Sequence, residues 1–208
     1  MNKFEFINKT YLKNNFKIFP VVENGKLPLI DAWQNECSND FMQVLYWLEN
    51  AKNCNIGLPA NENNLFIIDI DMHEINGLDS FNRLCQDLGI KEINTLSQKT
   101  PSGGIHYIFK SDEELKEVIN NSNCFKNYQG IDIRTKGYIL VEPSVINGIP
   151  YKLDEKMRNN EIYCFDNAIE IRKNLKTKNS LNTSNNEEDK DNDELKEDFD
   201  ETIRPRAL

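Results

Sequence analysis

Two aspartates one residue apart close an apolar run, LFIIDIDM, at residues 65–72. Side chains alternate along a strand, so Asp69 and Asp71 would share a face with Leu65 and Ile67, while Phe66, Ile68 and Ile70 take the other. At the usual rise per residue their Cα atoms lie about 6.6 Å apart, near enough for both carboxylates to hold one metal ion. Without a cation, repulsion between such close charges raises one of the two pKa values. The pair therefore either binds metal or lies exposed at the strand end. A calcium loop is excluded, because the EF-hand pattern needs glycine at its sixth position, where this chain has Glu74.

A second segment, TPSGGIHYIF, carries Ser102, Gly103 and Gly104 in a turn after Pro101 and leads into a strand bearing His106. Exposed backbone N–H groups in such a turn can cradle phosphate oxygens, and an imidazole beside them suits a triphosphate. A plain hairpin turn with a surface histidine is the alternative. A third segment, GIDIRTKGYILVEPS, puts Asp132 and Arg134 on one strand face and Ile131 and Ile133 on the other. By itself it reads equally well as a surface ion pair of little energetic weight. Together, however, two acids on one strand, a histidine after a glycine turn, and an acid with an arginine on a third strand are the parts of two-metal phosphoryl or nucleotidyl transfer. No Walker A loop is present.

Such residues need strands to hold them, and the apolar pattern supplies these. Strands are predicted at residues 16–22, 65–72 and 105–109, with a further one over 131–141 broken at Lys136-Gly137. Asn24-Gly25 reads as a turn. Ser38, Asn39 and Asp40 offer N-caps to a helix with Val44, Leu45 and Leu48 on one face. A second helix places Leu78, Phe81, Leu84, Cys85 and Leu88 on one side and stops at Gly89, and a third is predicted over 112–119. Helices and strands interleave without strict βαβ repetition, so the expected class is α+β with a mixed or antiparallel sheet.

Composition bounds the rest. A chain of 208 residues, 38% hydrophobic, can build one sizeable core. The formal charge of −9 is concentrated at one end: residues 187–201 hold ten acids and two lysines. With these and Arg204 and Arg206 set aside, residues 1–186 carry 24 acids and 21 bases, so the body is nearly neutral and the overall sign does not exclude a nucleic-acid partner. Beyond Leu175 the chain is polar, and we read 1–175 as the folded domain and 176–208 as an acidic disordered tail or linker. Five widely spaced cysteines without a C-x-x-C pair, and only two histidines, argue against a zinc cluster or disulfide framework. No signal segment or long apolar span is evident, so a cytoplasmic protein with no membrane partner is expected.

Over residues 16–144 the chain resembles the N-terminal primase-polymerase domain of the archaeo-eukaryotic primase superfamily, found in replication proteins of plasmids, phages and mobile elements. The resemblance rests on FPVVENGKLPLIDAWQ, NIGLP ahead of IIDID, TPSGGIH, and GIDIR followed by GYILVEPS, in that order. It implies a primase-like core with an RRM-like palm flanked by helices, and DNA primase or polymerase activity on single-stranded or primed DNA with NTPs or dNTPs. It further implies that Asp69, Asp71 and Asp132 bind two Mg²⁺ or Mn²⁺ ions and that His106 meets the nucleotide phosphates. Ser102, Gly103, Gly104, Arg134 and Lys26 are implied nucleotide contacts. The chain departs from the family pattern at Thr135-Lys136-Gly137, where a glycine-richer turn is usual, and it shows no zinc stem. No helicase segment follows, so unwinding would fall to another protein or to another part of a longer chain. A metal-dependent phosphodiesterase, and an inactive nucleotide- or nucleic-acid-binding replication module, use the same parts and stand as alternatives.

Overall fold

The computed structural model describes residues 1–72, 75–93, 95–110 and 128–154, all within the unit Met1–Leu175. The predicted helix over 112–119 and the predicted acidic tail lie outside these residues. In chain order the elements are α1 (Lys3–Thr10), β1 (Phe19–Val21), α2 (Trp33–Glu36), α3 (Phe41–Asn50), β2 (Asn55–Pro59), β3 (Leu65–Ile70) and α4 (Gly77–Asp87). These are followed by β4 (Leu96–Lys99), β5 (Ile105–Lys110), β6 (Ile131–Arg134), β7 (Tyr138–Val141), β8 (Val145–Ile146), β9 (Ile149–Pro150) and β10 (Lys152–Leu153). Helices with antiparallel sheets make this an α+β protein.

The larger sheet has the order β10-β4-β5-β3-β6, and the smaller has β1-β2-β7; every pairing is antiparallel. Strand β3 lies between β5 and β6, and its alternation is the one expected. Phe66, Ile68 and Ile70 pack with Ile131, Ile133 and the α4 residues Phe81 and Leu84. On the opposite face Leu65 and Ile67 join Leu96, Ile108 and Leu153 in a core shared with the smaller sheet and with α1 and α3. One face of the large sheet thus covers α4, and the other is apolar where it meets the small sheet.

Several elements form where local signals predict them. Asp40 caps α3, its carboxylate accepting the Gln43 N–H at 2.8 Å, and Gly89, at φ +69°, follows the end of α4. The first strand is shorter than predicted, β1 spanning only three residues, with Ile18 making an isolated bridge to Ser38. The break at Lys136-Gly137 separates more than two halves of one strand, since β6 joins the large sheet and β7 the small one. Strand β2 escapes the sequence reading because Gly57 and Pro59 weaken its pattern. Gly57 is required there: a Cβ would sit 2.4 Å from the Phe19 ring packed across it. Cys37 and Cys54 are buried and Cys85 is half-buried, all three as free thiols. Among the described residues no helix is long and apolar enough to cross a membrane.

Candidate active site

Strand register builds the site. Asp69 on β3 stands opposite His106 on β5 and opposite Asp132 on β6, and His106 in turn stands opposite Gln98 on β4. Gln98, His106, Asp69 and Asp132 therefore form one row across four strands, on the face whose next row, Leu96, Ile108 and Ile67, is apolar core. Arg134 ends that apolar row, two residues beyond Asp132 on the same face. The site is the polar end of a face that is otherwise sealed against the small sheet.

Within the row, the contacts are direct. His106 Nε2 lies 3.2 Å from Asp69 Oδ1, and Arg134 donates from Nε to Asp69 Oδ2 at 2.9 Å, with Nη2 also at 2.9 Å. Arg134 Nη2 is 3.9 Å from Asp132 Oδ2. Asp69 is only 7% exposed, yet its acid is stronger than usual. Burial alone would raise its pKa, but the hydrogen bond and charge of His106 and the guanidinium of Arg134 outweigh it and hold the value at about 2. Asp132 moves the other way: burial raises it, Arg134 opposes, and the nearby negative charges of Asp69 and Asp71 add to the rise. Tyr151, buried with its ring 6.1 Å from that of His106, is pushed up to about 12 by burial and by Asp69.

The predicted residues are not all placed alike. Asp69, His106, Asp132 and Arg134 come together as described. Arg134 does not form the isolated surface pair with Asp132 that the sequence allows; it turns to the more deeply buried Asp69, where its charge meets less water. Asp71 lies just past the end of β3, half-buried, and its N–H bond to the Gly130 carbonyl at 2.9 Å continues the β3–β6 register by one residue. Its charge still reaches Asp132. The turn at Ser102-Gly103-Gly104 is present and open: Ser102 Oγ is 3.0 Å from Thr100 Oγ1, and Gly103 has φ +88° with nothing near its Cβ position. Gly104 is buried against β3, where a Cβ would fall 2.2 Å from the Ile70 carbonyl oxygen. Lys26 is exposed in the turn between Val21 and Pro28, and its carbonyl accepts the Tyr138 hydroxyl.

Two site residues escaped the sequence reading, Gln98 and Tyr151. Gln98 was findable: if TPSGG is a hairpin turn, pairing outward from it sets Gln98 against His106. Tyr151 carries no such local signal.

The donor set suits a hard cation, being carboxylates alone, with Asp132 under repulsion from two neighbours. It is not gathered into a cage: among the described residues no three His, Cys, Asp or Glu side chains are grouped as a metal site requires. Arg134 holds Asp69 Oδ2 through two nitrogens while Oδ1 faces only His106, so a cation at Asp69 would bind through Oδ1 or compete with Arg134 for Oδ2. A cavity lined by Asn35, Cys37, Asp40, Gln43 and Trp47 contains none of the row residues.

A family model described as bifunctional DNA primase/polymerase, N-terminal, matches residues 8–162. No curated protein matches the chain.

Proposed function

The chain belongs to the bifunctional DNA primase/polymerase N-terminal family, and on that premise we propose that it performs DNA-templated nucleotidyl transfer at the acid row. Family membership supports a primase or polymerase type of function in general; the residue roles are those the resemblance implies, carried onto these positions. The observation that carries it is the register that faces Asp69 with Asp132 on one side and His106 on the other, bringing residues from three strands to one spot.

Asp69, Asp71 and Asp132 would hold the divalent cations. Bound there, Mg²⁺ or Mn²⁺ would supply Lewis-acid activation of the attacking hydroxyl and charge neutralisation at the leaving pyrophosphate. The protein's own groups have separate tasks. Arg134, beside Asp69 and near Asp132, would pair with a nucleotide phosphate, for which its planar fork is suited. His106 offers its Nε2 side to the same region, and the N–H groups of the Ser102-Gly103-Gly104 turn add donors without charge. Base choice rests on the template strand, so the protein need only grip backbones.

The test is primer extension by purified protein with dNTPs or NTPs and Mg²⁺ or Mn²⁺, beside Asp69→Asn and Asp132→Asn. Lengthened product from the parent and its loss in both variants are expected. Undiminished extension by either variant would refute the assignment, and shortening of labelled DNA would favour a phosphodiesterase. Sizing the products on unprimed single-stranded DNA separates priming from extension.

A further inference from the structure

His106 is held at both ring nitrogens. Nε2 faces Asp69 Oδ1 at 3.2 Å, and Nδ1 faces Gln98 Nε2 at 2.8 Å. Which nitrogen carries the proton follows from Gln98, because its amide has only one workable orientation. Gln98 Nε2 also lies 2.7 Å from the Leu140 carbonyl oxygen, which can only accept, and the Glu142 backbone N–H, which can only donate, reaches Gln98 Oε1 at 3.3 Å. Turning the amide over would set oxygen against oxygen at Leu140 and N–H against N–H at Glu142.

Both anchors are themselves fixed. Leu140 is paired within the small sheet, opposite Gly57. Residue 142 accepts the Tyr11 hydroxyl on its carbonyl at 2.6 Å and the Leu153 N–H on its carboxylate at 2.6 Å. Gln98 is 1% exposed and His106 5%, so water does not replace these contacts. One amide hydrogen therefore serves Leu140 and the other points at Nδ1, which must present a lone pair.

We propose that Gln98 is a positioning residue that fixes His106 in the tautomer with its proton on Nε2, directed at the acid row. The ring then acts at the site as a hydrogen-bond donor, to Asp69 and, on the function proposed above, to a nucleotide phosphate. It cannot serve as a general base there: Nε2 already bears the proton and Nδ1 is covered by Gln98. The small sheet thereby sets the chemistry of a side chain on the large one.

The experiment is a long-range ¹H–¹⁵N correlation spectrum of the full chain, labelled at histidine, in mildly alkaline buffer above the ordinary histidine range. The chain has two histidines, so a His73→Gln background leaves one imidazole. A pyrrole-type Nε2 and a pyridine-type Nδ1 are expected. Gln98→Glu, whose carboxylate accepts from Nδ1–H while Asp69 still faces Nε2–H, should turn Nδ1 into a pyrrole-type nitrogen and reduce extension about 10- to 100-fold, as loss of an orienting partner does at comparable sites. A pyrrole-type Nδ1 in the parent, or a pyridine-type Nδ1 that persists in Gln98→Glu, overturns the assignment. The spectrum needs no nucleotide, so a protein showing the expected tautomer but no extension keeps the Gln98 assignment and ends the polymerase reading.

Discussion

Arg134 grips Asp69 through a single oxygen: both Nε and Nη2 lie 2.9 Å from Oδ2, while the strand-mate Asp132 is 3.9 Å from Nη2. The pairing, with His106, keeps the folded-state pKa of Asp69 at about 2, against an ordinary carboxylate value of about 3.9. A depressed pKa contributes stability above the ordinary value and loses it as pH falls toward the folded one. In Arg134→Met that contribution shrinks, by roughly 1–2 kcal/mol. Thermal melts of parent and variant should therefore differ most near neutrality and converge as the pH drops from about 4 to about 2. A gap that stays constant down to that pH would mean the pair is not its source.

The two facing acids should trade stability and activity differently. Asp69→Asn weakens the Arg134 and His106 contacts of a buried group and should cost roughly 1–3 kcal/mol. Asp132→Asn removes a carboxylate whose charge is opposed by burial and by Asp69 and Asp71, with only Arg134 in its favour, so the fold should be unaffected or slightly firmer. Urea denaturation checks the difference, and both variants should lack primer extension. Equal destabilisation by the two would contradict the environments described.

Much of this was readable before any fold was known, and for local reasons. The acids end an apolar run, the histidine follows a glycine turn, and Asp132 and Arg134 alternate with Ile131 and Ile133, all within a few residues of chain. What was hidden depends on register between distant strands. Nothing local to residue 134 says that it will stand next to Asp69 rather than pair with Asp132, because that depends on β3 and β6 aligning Ile67 with Arg134. Strand β2 was hidden for a different reason, since its Gly57 is selected by the Phe19 ring from another strand and lowers the strand signal of its own. Asp71 follows the last residue of β3, and its N–H bond to the Gly130 carbonyl carries the β3–β6 pairing one step past Ile70↔Ile131.

Neighbouring glycines of the turn should respond unequally to the same change. In Gly104→Ala the new methyl carbon meets the Ile70 carbonyl oxygen at 2.2 Å, backbone that can yield only by moving β3, and a loss of about 1–3 kcal/mol is expected. Gly103→Ala meets open space and bears only the left-handed conformation at φ +88°, about 1 kcal/mol. Melting curves of the two variants should rank in that order. The reverse ranking would mean that the turn does not pack against β3.

Cation binding should be visible without any substrate. If the acids take up Mn²⁺, its addition should raise the melting temperature of the parent, as binding to the folded state alone requires. The rise should vanish in Asp132→Asn and persist, or grow, in Arg134→Met, where no guanidinium competes for Asp69 Oδ2. An identical rise in all three proteins would place the cation elsewhere.

The interior place of β3, between β5 and β6, has a consequence for how the protein is made. Both of its sheet neighbours, β5 and β6, come later in the chain, so Leu65–Ile70 leaves the ribosome with two bare edges and an almost wholly apolar sequence. Roughly 60 more residues, several seconds of translation, must follow before β6 can close the second edge. Through that interval the nascent segment is open to mispairing, and the aspartate at its end, like a charge set at the flank of a sticky strand, discourages association with other chains. The same carboxylate that the finished site needs thus also protects the polypeptide before the site exists.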